Sequence, residues 1–154
     1  MKPRSPAKPE SSPSIDSSPL QGLVGYAARR ASMVLSDSFV RHLAPLNLRP
    51  VPFTLLSLIG ATPGITSTQL CALLDIQSSN LVGLVKQLQE RELIMRQPHP
   101  EDGRAHGLHL TPAGRTFLEQ ASAMAAQADR QATAALSDAE VKKLLQLLSK
   151  IHGL

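Results

Sequence analysis

Between positions 77 and 87 the chain reads Gln77-Ser78-Ser79-Asn80-Leu81-Val82-Gly83-Leu84-Val85-Lys86-Gln87. Leu81, Leu84, Val85 and Leu88 recur at helical spacing, so one side of a helix is apolar. The other side then carries Gln77, Ser78, Ser79, Asn80, Val82, Gly83, Lys86 and Gln87. These side chains recognise rather than break bonds. The carboxamides of Asn and Gln donate and accept together, which suits the major-groove edge of adenine, and serine can serve either way. The start of such a helix also favours a phosphate. Serine and asparagine equally stand at helix starts as plain caps, and this stretch taken alone leaves both readings open.

Other chemistries lack their signatures. No nucleophile elbow, glycine-rich phosphate loop or His-Glu-x-x-His is present, so no enzyme is expected. His106 and His109 stand an odd number of residues apart on a strand and face opposite ways. Neither they nor His99 join a cysteine or a pair of carboxylates, so no metal is expected. His42 reads equally as a pocket residue or a half-buried one. Cys71 is the single cysteine, which rules out an intramolecular disulfide. Beside Leu70, Ala72 and Leu73 it reads as a small core residue rather than a redox switch.

A length of 154 residues suits one domain with a real core. A net charge of +4 leans weakly toward an anionic partner. Aromatics at 3%, with no tryptophan, disfavour a stacking platform for single strands. No apolar run approaches the roughly 18 residues of a membrane span, and the N-terminus has no signal-peptide pattern. The expectation is a cytoplasmic protein with no membrane attachment.

The elements that position the polar face follow from periodicity. Residues 1–18 are rich in proline and serine and read as a disordered tail. Its Lys2, Arg4 and Lys8 either touch phosphates or are simply solvated. A long helix is expected from Leu20, with Ser18-Pro19 as its cap, to about Ala44-Pro45. Its two apolar stripes (Leu20, Leu23, Val24, Ala27, Ala31, Val34 and Leu35; Tyr26, Met33 and Val40) point to a subunit interface as well as a core. A short buried helix starts at Pro50–Pro52, and Gly60–Gly64 is a connector. Thr66-x-x-Gln69 is a capping box for a third helix, Ser67 to about Leu74. After Asp75-Ile76-Gln77, Ser78 or Ser79 caps the fourth, which ends near Arg91-Glu92. Leu93–Arg96 and His106–Leu110 read as strands joined by Pro98–Gly103. Thr111-Pro112 opens a helix to about Ala135. Ser137-x-x-Glu140 opens the last, striped with Val141, Leu144, Leu145, Leu148 and Ile151.

Two short helices, a tight turn and a hairpin make a winged helix-turn-helix, whose second helix enters the major groove. The expected fold class is mainly α, a winged helix-turn-helix with a small β-hairpin wing. The stretch from Phe53 to Phe117 resembles the multiple-antibiotic-resistance regulator (MarR) family. The carrying segments are Thr66–Leu70, Ser79–Leu88, Leu93–Arg96, Asp102-Gly103-Arg104 and Leu110-Thr111-Pro112-Ala113-Gly114.

That resemblance implies a bacterial homodimer, built from a MarR-like domain over 19–154. Residues 50–117 would form the winged lobe, and 19–45 with 118–154 the dimerisation helices. Two lobes would bind one pseudo-palindromic duplex operator. Family members mostly repress, and many release DNA on binding a small aromatic or phenolic effector. Carried over, Ser67 and Thr68 touch phosphate and Arg104 enters the minor groove. Asp102 holds the wing by pairing with an arginine, Arg96 being the candidate. The base-reading set is Gln77, Ser78, Ser79, Asn80, Lys86 and Gln87. Tyr26, Arg30, Met33, His42, Phe53 and Leu56 lie where relatives line an effector pocket, although most of them read as plain core singly. No cofactor is implied. One departure stands out: many relatives carry a Thr-Arg pair where this chain has Val82-Gly83. Lys86, Arg91, Arg96 and Arg104 are also matched by Glu90, Glu92, Glu101 and Asp102, which keeps open a dimeric winged-helix protein–protein module without effector sensing.

Overall fold

The computed structural model describes residues 18–98 and 106–153. They fall into two units that divide between Met33 and Val34, within the first long helix.

In the first unit Ser18–Leu20 forms a 3-10 turn, and helix α1 (Val24–Leu43) begins only afterwards. The expected start at Leu20 is therefore too early. Leu23 N–H closes the turn on Leu20 O at 3.0 Å, and Gly22, a poor helix former, lies in the break. Leu23, Val24 and Met33 are exposed.

The second unit holds the core. From Leu43 the chain passes through a 3-10 turn (Ala44–Leu46) and a left-handed Asn47 into α2 (Pro50–Ala61). Proline stands at the start of α2, where its missing N–H has no intrahelical partner to lose. A two-residue strand β1 (Ile65–Thr66) leads into α3 (Ser67–Leu74). The expected capping box is present, with Gln69 N–H on Thr66 Oγ1 at 3.3 Å and Thr66 N–H on Gln69 Oε1 at 2.9 Å. Helix α4 (Ser78–Glu90) is followed by β2 (Ile94–Pro98), β3 (His106–Leu110), α5 (Pro112–Ala132) and α6 (Asp138–His152).

The sheet order is β1-β3-β2, all antiparallel, with Arg96 opposite Leu108 and Ile65 also opposite Leu108. The third strand was not expected. Leu93 falls outside β2; its N–H bonds to Leu88 O at 3.0 Å and its carbonyl accepts from Thr111 N–H at 3.1 Å. Buried side chains come from α2 (Leu55, Leu56, Ile59), α3 (Leu70), α4 (Leu81, Val85, Leu88), the strands (Ile94, Leu108, Leu110) and α5 (Ala121). Gly114 marks the closest approach of two elements, since a Cβ there would overlap the Leu93 carbonyl. Thr111 Oγ1 accepts from Gly114 N–H at 2.8 Å and donates to Glu92 O at 2.6 Å. Helix α6 buries none of its residues. Its capping box joins Ser137 and Glu140, and hydrogen bonds from the Ser137 hydroxyl and N–H hold the Glu140 carboxyl below its ordinary range.

Candidate nucleic-acid interface

Helix α4 is two-faced because its apolar residues recur at the helical period. Leu81, Val85 and Leu88 are buried against the core. Gln77, Ser78, Ser79, Asn80, Val82, Gly83, Lys86 and Gln87 are all exposed. The cap itself differs from expectation. Gln77 is the N-cap, in extended conformation without a side-chain cap bond, so neither Ser78 nor Ser79 fills that role. The Ser78 hydroxyl instead lies 3.8 Å from the thiol of half-buried Cys71, which donates to it. Left-handed Asp75 makes the sharp turn from α3. At the head of α3, Thr68 is exposed and Ser67 half-buried.

Lys86 reaches Glu90 at 3.8 Å, with both side chains largely in solvent. Such a pair is weak and salt-screened, so the ammonium can leave it for a phosphate. The far end of α4 is tied down by Arg91. Its Nη2 donates to Leu46 O at 2.9 Å and its Nη1 to Asn47 O at 3.2 Å. The guanidinium also stands 4.9 Å over the Phe117 ring of α5. Sequence reasoning missed this residue.

On the hairpin, Arg96 is exposed. Asp102, Arg104 and His99 lie outside the described residues, as do Lys2, Arg4 and Lys8. His106 is exposed and His109 half-buried. Among the described residues no cluster of His, Cys, Asp or Glu is arranged to hold a metal, and no helix is long and apolar enough to cross a membrane.

The six expected pocket residues are scattered in character. In the first unit Tyr26 is half-buried, while Arg30 and Met33 are exposed. In the second, Leu56 is fully buried. Phe53 meets Phe39 edge-on at 5.3 Å, and His42 Nδ1 donates to Ser38 O at 2.8 Å. A hollow of about 190 Å³ within the second unit is lined by Leu35, Ser36, Phe39, Pro50, Ala125, Ala128 and Asp129. None of the six lines it. Its residues come from three helices, so no local pattern could have grouped them.

Residues 46–105 match the MarR family. Over 134 residues the chain is 31% identical to a protein of Thauera aromatica named for transcriptional regulation of the hcr operon, covering 86% of this chain and 81% of that one. The chain belongs to the MarR family. Like its relatives it is a transcription regulator and not an enzyme. The transcriptional repressor CouR, solved on a 23-mer DNA duplex, superposes with a TM-score of 0.83 at 32% identity, covering 90% of this chain and 98% of that one. The repressor Rv2887 of Mycobacterium tuberculosis is 25% identical over 83% of this chain and 92% of its own. Its complex with salicylic acid shares the fold, with a TM-score of 0.70 at 24% identity, covering 83% of this chain and 95% of that one. The mainly helical winged fold with its small sheet is that of solved MarR-family structures.

Proposed function

We propose that this MarR-family chain is a homodimeric, sequence-specific repressor that leaves a pseudo-palindromic operator when a small aromatic or phenolic effector binds. The observation carrying this reading is the face of α4, where polar side chains from Gln77 to Gln87 stand in solvent while Leu81, Val85 and Leu88 anchor the helix from behind. Asn80 and Gln87 offer paired donors and acceptors to base edges. Ser67, Thr68 and Lys86 would supply phosphate contacts, and the family resemblance assigns Arg96, Asp102 and Arg104 to contacts made by the wing. CouR on its duplex supports the same use of this fold.

Pairing of two copies is supported by α6, where Leu144, Leu145, Leu148 and Ile151 form one exposed apolar stripe, its edges Leu145 and Ile151 at 63% and 69%. An apolar row of that kind on a soluble helix is stabilised by a partner's surface. Two lobes would then address half-sites one helical turn apart, roughly 10 bp. For the effector, the hollow beside Phe39 is of the size that accepts a benzene ring, roughly 150 Å³. The salicylic acid complex of Rv2887 supports an aromatic ligand. Release requires the effector to prefer a lobe arrangement that the operator does not fit, since equal affinity for both arrangements shifts nothing.

A gel-shift titration at several salt concentrations, on fragments selected from random duplexes, tests the reading. A DNA regulator shows one preferred sequence class, and log K falls linearly with log salt. A protein-only module shows neither.

A further inference from the structure

We propose, resting on the DNA-binding reading above, that Gly83 is the point where α4 comes closest to the duplex and that Val82 beside it reads the 5-methyl group of a thymine. Glycine inside a helix is unfavourable relative to alanine, so a mid-helix glycine calls for a reason. Among the described residues there is none: a Cβ on Gly83 would meet no heavy atom of theirs within 4 Å. The space is open in the free protein.

The helix geometry says what fills it. At ~100° per residue, the line opposite buried Leu81, Val85 and Leu88 passes through Ser79, Gly83 and Glu90, with Lys86 and Gln87 about 50° to either side. Gly83 stands one turn beyond Ser79, so two of the smallest side chains occupy the crest of the exposed face. A low crest lets a helix backbone seat deeper against base edges. On one flank Asn80 and Gln87 border a hollow that Gly83 also lines. On the other flank is Val82, an apolar side chain that stands 58% exposed. The apolar feature of the major groove is the thymine methyl. Where many relatives would place an arginine toward guanine, this pair favours close contact with an A·T step.

The test uses the full-length dimer and the tightest duplex recovered from a random-sequence library. Each thymine is replaced singly by deoxyuridine, which removes only the methyl. At one thymine per half-site the wild type is expected to lose about three- to fivefold in affinity, the worth of one buried methyl group. Val82→Ala is expected to bind the thymine and uracil duplexes alike. Gly83→Ala is expected to raise the thermal midpoint yet weaken the selected duplex by about tenfold, with an unchanged salt slope, because no phosphate contact is lost. Uracil-insensitive wild type, equal uracil losses in wild type and Val82→Ala, or undiminished affinity in Gly83→Ala each overturn the assignment while leaving DNA binding in place. A wild type that prefers no duplex overturns the DNA reading itself.

Discussion

The guanidinium of Arg91 lies 2.9 Å from the carbonyl oxygen of Leu46, and so fastens the last turn of α4 to the chain entering α2. The same group forks to Asn47 and covers Phe117. Arg91→Met should therefore lower stability by about 1–2 kcal/mol, given the usual worth of hydrogen bonds from a charged donor at a partly solvated site. Arg91→Lys should recover less than half, since an ammonium cannot fork and stack at once. Urea unfolding of the three proteins decides the matter; equal midpoints for wild type and Arg91→Met would mean that the tie contributes nothing.

Two glycines should respond with opposite signs to the same added methyl. Gly114→Ala drives a Cβ into the Leu93 carbonyl, and because a Cβ cannot rotate away and the carbonyl is main chain the cost should reach about 3 kcal/mol. Gly83→Ala places its methyl in open space and should stabilise by about 0.5–1 kcal/mol. Thermal melts of both variants check the contrast, and a stable Gly114→Ala would show that α5 can slide away from the hairpin.

The capping box of α6 carries a pH signature. Glu140 is held below its ordinary value of 4.5 by the Ser137 hydroxyl and N–H. A carboxyl lowered in the folded state contributes stability above its unfolded value and loses it as pH falls through the folded one. Glu140→Gln should therefore melt below wild type at about pH 7, with the gap narrowing as the pH falls below 4.5. A gap independent of pH would assign the stabilisation to the hydrogen-bond geometry alone.

The leucine-rich face of α6 should decide the assembly. Ile151→Glu combined with Leu145→Glu introduces charge at two side chains that the chain itself leaves exposed. The free subunit gains nothing from burying them, so the substitutions should leave its helicity intact while shifting sedimentation from dimer to monomer. Thermal midpoints of the wild type should rise with protein concentration, as for any fold stabilised by a second copy. Sedimentation of the double variant as an intact dimer would place the interface elsewhere.

Much of this architecture was legible because its signals are local. Thr66-x-x-Gln69 and Ser137-x-x-Glu140 announced two helix starts through hydrogen bonds that span three residues. The polar face of α4 followed from the spacing of Leu81, Val85 and Leu88. What escaped was either too short or too distant to leave a pattern. Strand β1 has two residues, and its partners Gly107 and Leu108 are far along the chain. Arg91 meets carbonyls 44 and 45 positions away. The cap of α4 misled because serine is the better capping residue, yet the extended backbone at Gln77 starts the helix one residue earlier. At the start of α1, Ser18-Pro19 announced a helix and opened a 3-10 turn.

The notch at Gly114 has a mechanical meaning. With main chain against main chain, and Thr111 stitched to Glu92, the foot of α5 has no slack relative to the hairpin. Helix α5 runs 21 residues, a rod of about 31 Å. Pivoted at its foot, such a rod turns a displacement of nearly 3 Å at the far end into a tilt of only ~5° at the sheet. Because the foot of α5 is packed main chain to main chain, any such tilt would be shared by the strand residues it touches rather than absorbed between them.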